Sequence, residues 1–149
     1  MNRIKNNIMQ KVILTLVLIL TSFFLSHAQE KKMHTITVTI TGMESDKGTV
    51  LVALYNSEKD FLNKSFKGDI AKITNKKAKA VFKNIEKGVY AVSVFHDENN
   101  NKKLDTMIFG IPKEPYGTSN GAKGFMGPPK YKDAKFNVTK DVTIPIKVN

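Results

Sequence analysis

The densest group of side chains able to do chemistry is the run His96-Asp97-Glu98-Asn99-Asn100-Asn101-Lys102-Lys103-Leu104-Asp105. Counted from Asp97, the residues Asp97, Asn99, Asn101 and Asp105 stand at positions 1, 3, 5 and 9. Alternate side-chain oxygens on a tight loop can converge on one hard cation, joined by a backbone carbonyl from the position near Lys103. The spacing therefore offers Ca2+ the ligands Asp97, Asn99, Asn101, Lys103 through its carbonyl, and Asp105. Three departures weaken the cage. Lys102 sits where a glycine usually makes the sharp turn, and Ile108 sits where a bidentate Glu usually closes the loop. Only Asp97 and Asp105 bring charge at ligand positions, and Lys102 and Lys103 oppose it. The other reading is an Asn-rich connection whose side chains bond their own backbone and set turn geometry. The residues leave both readings open.

His96 stands beside Asp97 at the end of a strand-like run. As a general base it would need a nucleophile and an orienting partner, and as a zinc ligand two or three companions. Past residue 28 the only other histidine is His34. No G-x-S-x-G, H-E-x-x-H or P-loop pattern is present. His96 is thus a candidate base for a small-substrate hydrolase or isomerase, set against a structural hydrogen bond to the adjoining loop. Tyr116, Phe125 and Tyr131 are candidate ligand-loop residues. They lie in Phe109–Tyr131, which holds five of the nine glycines and four of the five prolines. A loop of about 20 residues within a compact domain is functional or disordered, and interleaved aromatics argue against disorder. Such aromatics can stack a sugar or peptide, or staple the loop to the body.

The elements that must position these groups read as short strands. His34–Thr41 alternates Ile36, Val38 and Ile40 with threonines, the period of a half-buried strand. After the turn residues Ser45–Gly48, Thr49–Tyr55 is apolar on both faces, as in a central strand, and the two runs are expected to form a hairpin. Ser57-Glu58-Lys59-Asp60 opens a short helical turn over 57–64, with Phe61 and Leu62 packing inward. Ile70–Thr74 and Ala78–Lys83 are lysine-rich, the mark of protected edges. Val89–His96 is the next strand. Lys135–Val138 and Val142–Val148 close the fold as a pair about Lys140-Asp141, with Pro145 placing the second at an edge. About seven short strands at this spacing predict an all-β fold, a single antiparallel β-sandwich with a transthyretin-like or immunoglobulin-like look.

The first 28 residues read as an address. Arg3, Lys5 and Lys11 precede the apolar run Val12–Leu25, and Ser26-His27-Ala28 supplies small residues for a cut after Ala28. That run would rise about 21 Å as a helix, short of the roughly 30 Å hydrocarbon core. The expectation is a cleaved signal peptide over 1–28, one domain over 29–149, no transmembrane segment after cleavage, and a periplasmic or extracellular location. Cysteine is absent, which excludes disulfides, thiolate metal sites and cysteine nucleophiles. The formal charge of +11 comes from 24 Lys+Arg against 13 Asp+Glu. The leader removes three cations and no acid, leaving 21 against 13, or +8, all of it lysine. Base readout favours the planar fork of Arg, and the lysines are dispersed, so no nucleic-acid partner is expected.

One run resembles a known bacterial family. Phe95-His96-Asp97-Glu98-Asn99, Lys103-Leu104-Asp105-Thr106, Phe109-Gly110-Ile111-Pro112-Lys113-Glu114-Pro115-Tyr116-Gly117, Ser119-Asn120 and Gly127-Pro128-Pro129 are similar to the secreted family known as domain of unknown function 2141. Thr39-Ile40-Thr41-Gly42 and Gly88-Val89-Tyr90-Ala91 fit the same pattern. The resemblance implies an exported β-sandwich of transthyretin-like or carboxypeptidase-regulatory-like appearance and brings no activity. Transthyretin-like ureide hydrolases need a catalytic Arg, and none lies past residue 28. The leading expectation is a non-catalytic envelope module binding a sugar, peptide or protein through the surface of residues 96–131. An enzyme using His96, or a structural protein pairing through the edge strand Val142–Val148, are the alternatives.

Overall fold

The computed structural model describes residues 7–16 and 32–149. Residues 7–16 are helical with exposed side chains, and no described helix is long and apolar enough to cross a membrane. The expected cut after Ala28 lies outside the described residues.

Residues 32–149 fold as one compact unit of eight strands. They are β1 (His34–Thr41), β2 (Thr49–Tyr55), β3 (Lys67–Lys72), β4 (Lys77–Ile85), β5 (Gly88–Asp97), β6 (Tyr116–Thr118), β7 (Phe136–Val138) and β8 (Val142–Lys147). One sheet has the order β4-β1-β8 and the other β3-β2-β5-β6, with β7 also paired to β5. Every pairing is antiparallel except β1 with β8, which is parallel. The fold is the expected β-sandwich. Its core is the set of inward alternate residues: Ile36, Val38 and Ile40 of β1 face Val50, Val52 and Leu54 of β2 and Tyr90, Val92 and Val94 of β5. Burying each such aliphatic side chain contributes about 1.5–3 kcal/mol.

Pairing departs from expectation in two places. β1 and β2 make no hairpin; each is the interior strand of a different sheet, and residues 42–48 carry the chain between layers. β7 and β8 do not pair either: β7 joins β5 and β8 joins β1. β8 is an edge strand, with Pro145 exposed opposite Thr39. The lysine-rich β3 and β4 are likewise edges. The segment 57–64 forms successive turns without a regular helix. Ser57 Oγ accepts the Asp60 N–H at 3.2 Å, as a cap would, but Leu62 takes a left-handed backbone (φ 59°) that stops propagation. Phe61 packs edge-on between Tyr55 and Tyr131, whereas Leu62 is exposed.

Candidate functional site

β5 delivers both His96 and Asp97 to the end of the sandwich, and both are fully buried. Asp97 accepts the N–H groups of Asn101 at 3.1 Å and Lys102 at 2.8 Å, which folds the loop back onto the strand end. Asn99 Oδ1 accepts from Asn101 N at 3.0 Å, and Asn101 Oδ1 accepts from Lys103 N at 2.7 Å. These are two successive Asx turns. The amide nitrogens of Asn99 and Asn101 then donate to the two oxygens of Asp105, at 2.6 and 3.0 Å. The structure thus brings Asp97, Asn99, Asn101 and Asp105 into one ring. Lys103 joins it through its N–H, not through the carbonyl expected of a ligand. Left-handed φ values at Asn100 (60°) and Lys102 (61°) supply the bend that a glycine usually makes. Among the described residues no three or more His, Cys, Asp or Glu are grouped to hold a metal ion.

Glu114 is the member of this ring that sequence spacing did not single out. It is buried, and its carboxylate accepts Glu98 N–H at 3.2 Å and Asp105 N–H at 3.0 Å. Its place is set by Lys113 N–H to Asp105 O at 2.8 Å, which brings 113–114 back alongside 105. The turn before β2 buttresses the same loop. Gly48 has φ 77° and backs directly on the Asp97 carbonyl, leaving no room for a Cβ. Thr49 Oγ1 donates to Asn100 Oδ1 at 3.2 Å.

His96 shares the core-facing parity of Val92 and Val94. Its Nε2 lies 2.6 Å from Lys47 O. A carbonyl only accepts, so Nε2 carries the proton. Nδ1 has no hydrogen-bond partner, and the nearest carboxylate oxygen, Glu98 Oε1, is 3.8 Å away. The ring pins the 45–48 turn to β5. Among the described residues neither ring nitrogen is hydrogen-bonded to a hydroxyl, and His34 lies on the other sheet.

The opposite face of β5 is open. A cleft of about 820 Å3 lies on the outward side of the second sheet, with Ser93, Phe95 and Tyr116 in its floor. A shallower depression of about 640 Å3 shares Tyr55, Ser93 and Phe95 and continues over Leu51 and Ala53 toward β3. The second apolar face of β2 is therefore the floor of an open surface, not a second core. Two arms wall the cleft. The first spans residues 105–113 and is held by Lys113 N–H to Asp105 O and by Met107 N–H to Ile111 O at 2.7 Å. Its tip is the turn Ile108–Gly110, closed by Gly110 N–H to Met107 O at 3.1 Å. The second follows β6, is fastened by Thr118 Oγ1 to Ala122 O at 2.6 Å, and carries Phe125 and Met126. Phe109 and Met126 line the cleft and hold left-handed φ values of 69° and 54°. For a residue with a Cβ this conformation costs about 1–2 kcal/mol.

The three aromatic candidates divide. Tyr116 lies in the cleft floor and Phe125 on the second arm beside it. Tyr131 is outside the cleft: its ring stacks edge-on against Phe61 at 5.6 Å and its hydroxyl donates to Val89 O at 3.3 Å. It is a staple. Ser119 and Asn120 are structural too. The buried Ser119 Oγ accepts Val92 N–H at 2.9 Å and donates to Ala134 O at 2.6 Å, and Asn120 Nδ2 donates to Lys135 O at 2.9 Å. Just past the end of β8, Tyr116 and Asn149 exchange backbone hydrogen bonds of 3.2 and 3.4 Å, which tie β6 to the residues that follow the strand.

A family model described as an uncharacterized protein conserved in bacteria matches residues 38–145. That span takes in the Asp97 loop, both arms and the cleft floor. No curated protein and no solved structure matches the chain.

Proposed function

The chain belongs to the family of uncharacterized bacterial proteins known as domain of unknown function 2141, and from that premise we propose that it is a non-catalytic, exported binding module. Its ligand surface is the cleft on the outward face of β5 and β6. One observation carries this reading: Phe109 and Met126, 97% and 95% exposed, are presented by two separately braced arms that wall the same apolar cleft. Large apolar side chains held in water on one contiguous site mark an interaction surface. Catalysis has no comparable support, because the His96 ring and the cleft are on opposite faces of β5. The leader-like residues 1–28 support export.

The test uses the apolar fluorophore anilinonaphthalene sulfonate. We expect saturable fluorescence enhancement with the wild type and its loss in Phe109→Ser/Met126→Ser, whose exposed sites leave the fold intact. Enhancement equal in the two proteins would reject the cleft as the binding surface.

The ring of Asp97, Asn99, Asn101 and Asp105 supports a second, structural reading for that loop, as a Ca2+ site bracing the first arm. Each carboxylate oxygen keeps a further lone pair for a cation after accepting its N–H. Added Ca2+ should then raise the melting temperature and EDTA should lower it. An unchanged melt, with no metal by elemental analysis, would reject it.

A further inference from the structure

We propose that the partner of the two arms is an anionic phospholipid surface. Ile108, Phe109, Phe125 and Met126 enter the boundary between headgroups and acyl chains, and the surrounding lysines meet the headgroups. The inference rests on the binding-module reading and names the partner of that same site.

The apolar area stands at the tips more than in the floor. Ile108 is 78% exposed, Phe109 97%, Phe125 92% and Met126 95%. Side chains standing that far clear of the body suit a broad surface better than a small enclosed molecule. Backbone conformation points the same way. Phe109 and Met126 occupy left-handed positions that Gly or Asn takes without strain, so each arm keeps a bulky apolar residue where a small or polar one would fit more easily. Charge completes the pattern. From Met107 to Lys132 the chain carries Lys113, Lys123, Lys130 and Lys132, all exposed. Its only acid there is Glu114, which is buried with both oxygens engaged by loop N–H groups. Asp105, at the root of the first arm, is engaged by the Asn99 and Asn101 amides, and Asp133 follows Lys132. From Asp105 to Asp133 four exposed lysines thus stand against one exposed acid, and the fringe around the apolar tips is net cationic. Interfacial anchoring draws on those two terms, buried apolar area and attraction to anionic lipid.

The test is co-sedimentation of residues 29–149, which contain every core residue described, with vesicles of phosphatidylcholine alone or mixed with phosphatidylglycerol. Leaving out 1–28 keeps the apolar run Val12–Leu25 from reporting. We expect at least about tenfold stronger partitioning onto the mixed vesicles. That preference should shrink as salt cuts the Debye length from about 10 Å at 0.1 M to about 3 Å at 1 M. Phe109→Ser/Phe125→Ser should lose about tenfold or more on the mixed vesicles, and Lys113→Gln/Lys123→Gln/Lys130→Gln should bring them to the phosphatidylcholine level. Melting temperatures of both variants should stay at the wild-type value, since all five sites are exposed. Equal partitioning onto the two vesicle types, or an unaffected Phe109→Ser/Phe125→Ser protein, overturns the inference. Fluorophore uptake without vesicle binding overturns the lipid partner alone. Loss of both overturns the binding-module reading as well.

Discussion

A buried carboxylate is tolerated only where hydrogen bonds replace the water it gives up. Glu114 meets that condition by accepting from Glu98 and Asp105, residues on both flanks of the Asn-rich loop. Truncation by Glu114→Ala would orphan two N–H donors at about 1–3 kcal/mol each, the lower end applying because Glu98 is exposed. Glu114→Gln keeps one acceptor oxygen and should fall between that variant and the wild type. Urea denaturation measures this. A Glu114→Ala protein within about 0.5 kcal/mol of wild type, the spread of ordinary surface changes, would show that the carboxylate does not brace the loop. The Asp97 ring was legible in the sequence because its bonds span only two to six residues. Glu114 was not, because its partners lie nine and sixteen residues away and are met only once the first arm has folded back.

Strand positions were legible for a similarly local reason. Period two fixes which face of β1, β4 and β5 is buried, and the lysines of β3 and β4 marked true edges. Pairing is not a local property. The short link between β1 and β2 suggests a hairpin, but each strand needs two neighbours. β1 finds them in β4 and β8, and β2 in β3 and β5. Alternation also cannot say what covers a second apolar face. Leu51 and Ala53 look like core residues in the sequence and prove to be surface floor, because no third layer exists over the β2–β5 sheet among the described residues. Gly117 shows the converse. Its lack of a side chain lets β6 approach β8, where a Cβ would lie 2.7 Å from Ile146 Cγ2, and nothing in its immediate sequence distinguishes it from the turn glycines around it.

The molecule as a whole should be sensitive to alkali. Burial pushes the phenols of Tyr55, Tyr90 and Tyr131 above their usual value of about 10; the Ser93 hydrogen bond partly offsets this at Tyr55, while Glu86 adds to it at Tyr90 and Glu58 at Tyr131. The native state therefore holds these protons at pH values where the unfolded chain has released them. Their contribution to stability is complete below pH 10 and is lost as pH rises through the higher native values. We expect the urea midpoint to fall from about pH 10 upward, and less steeply in Tyr55→Phe. A midpoint independent of pH across that window would contradict the burial of these rings.

The parallel seam between β1 and β8 joins Ile36 to Val142 and Thr41 to Lys147. Strands more than a hundred residues apart in the sequence thus lie side by side, and one of them is half of the first sheet's edge protection. Such a high contact order makes folding slow, because the entropy of closing the longest loop must be met before the seam returns any energy. A nascent chain that ends before Val142 has β1 exposed along one side. Completion of the first sheet accordingly waits for β8, made more than a hundred residues after β1.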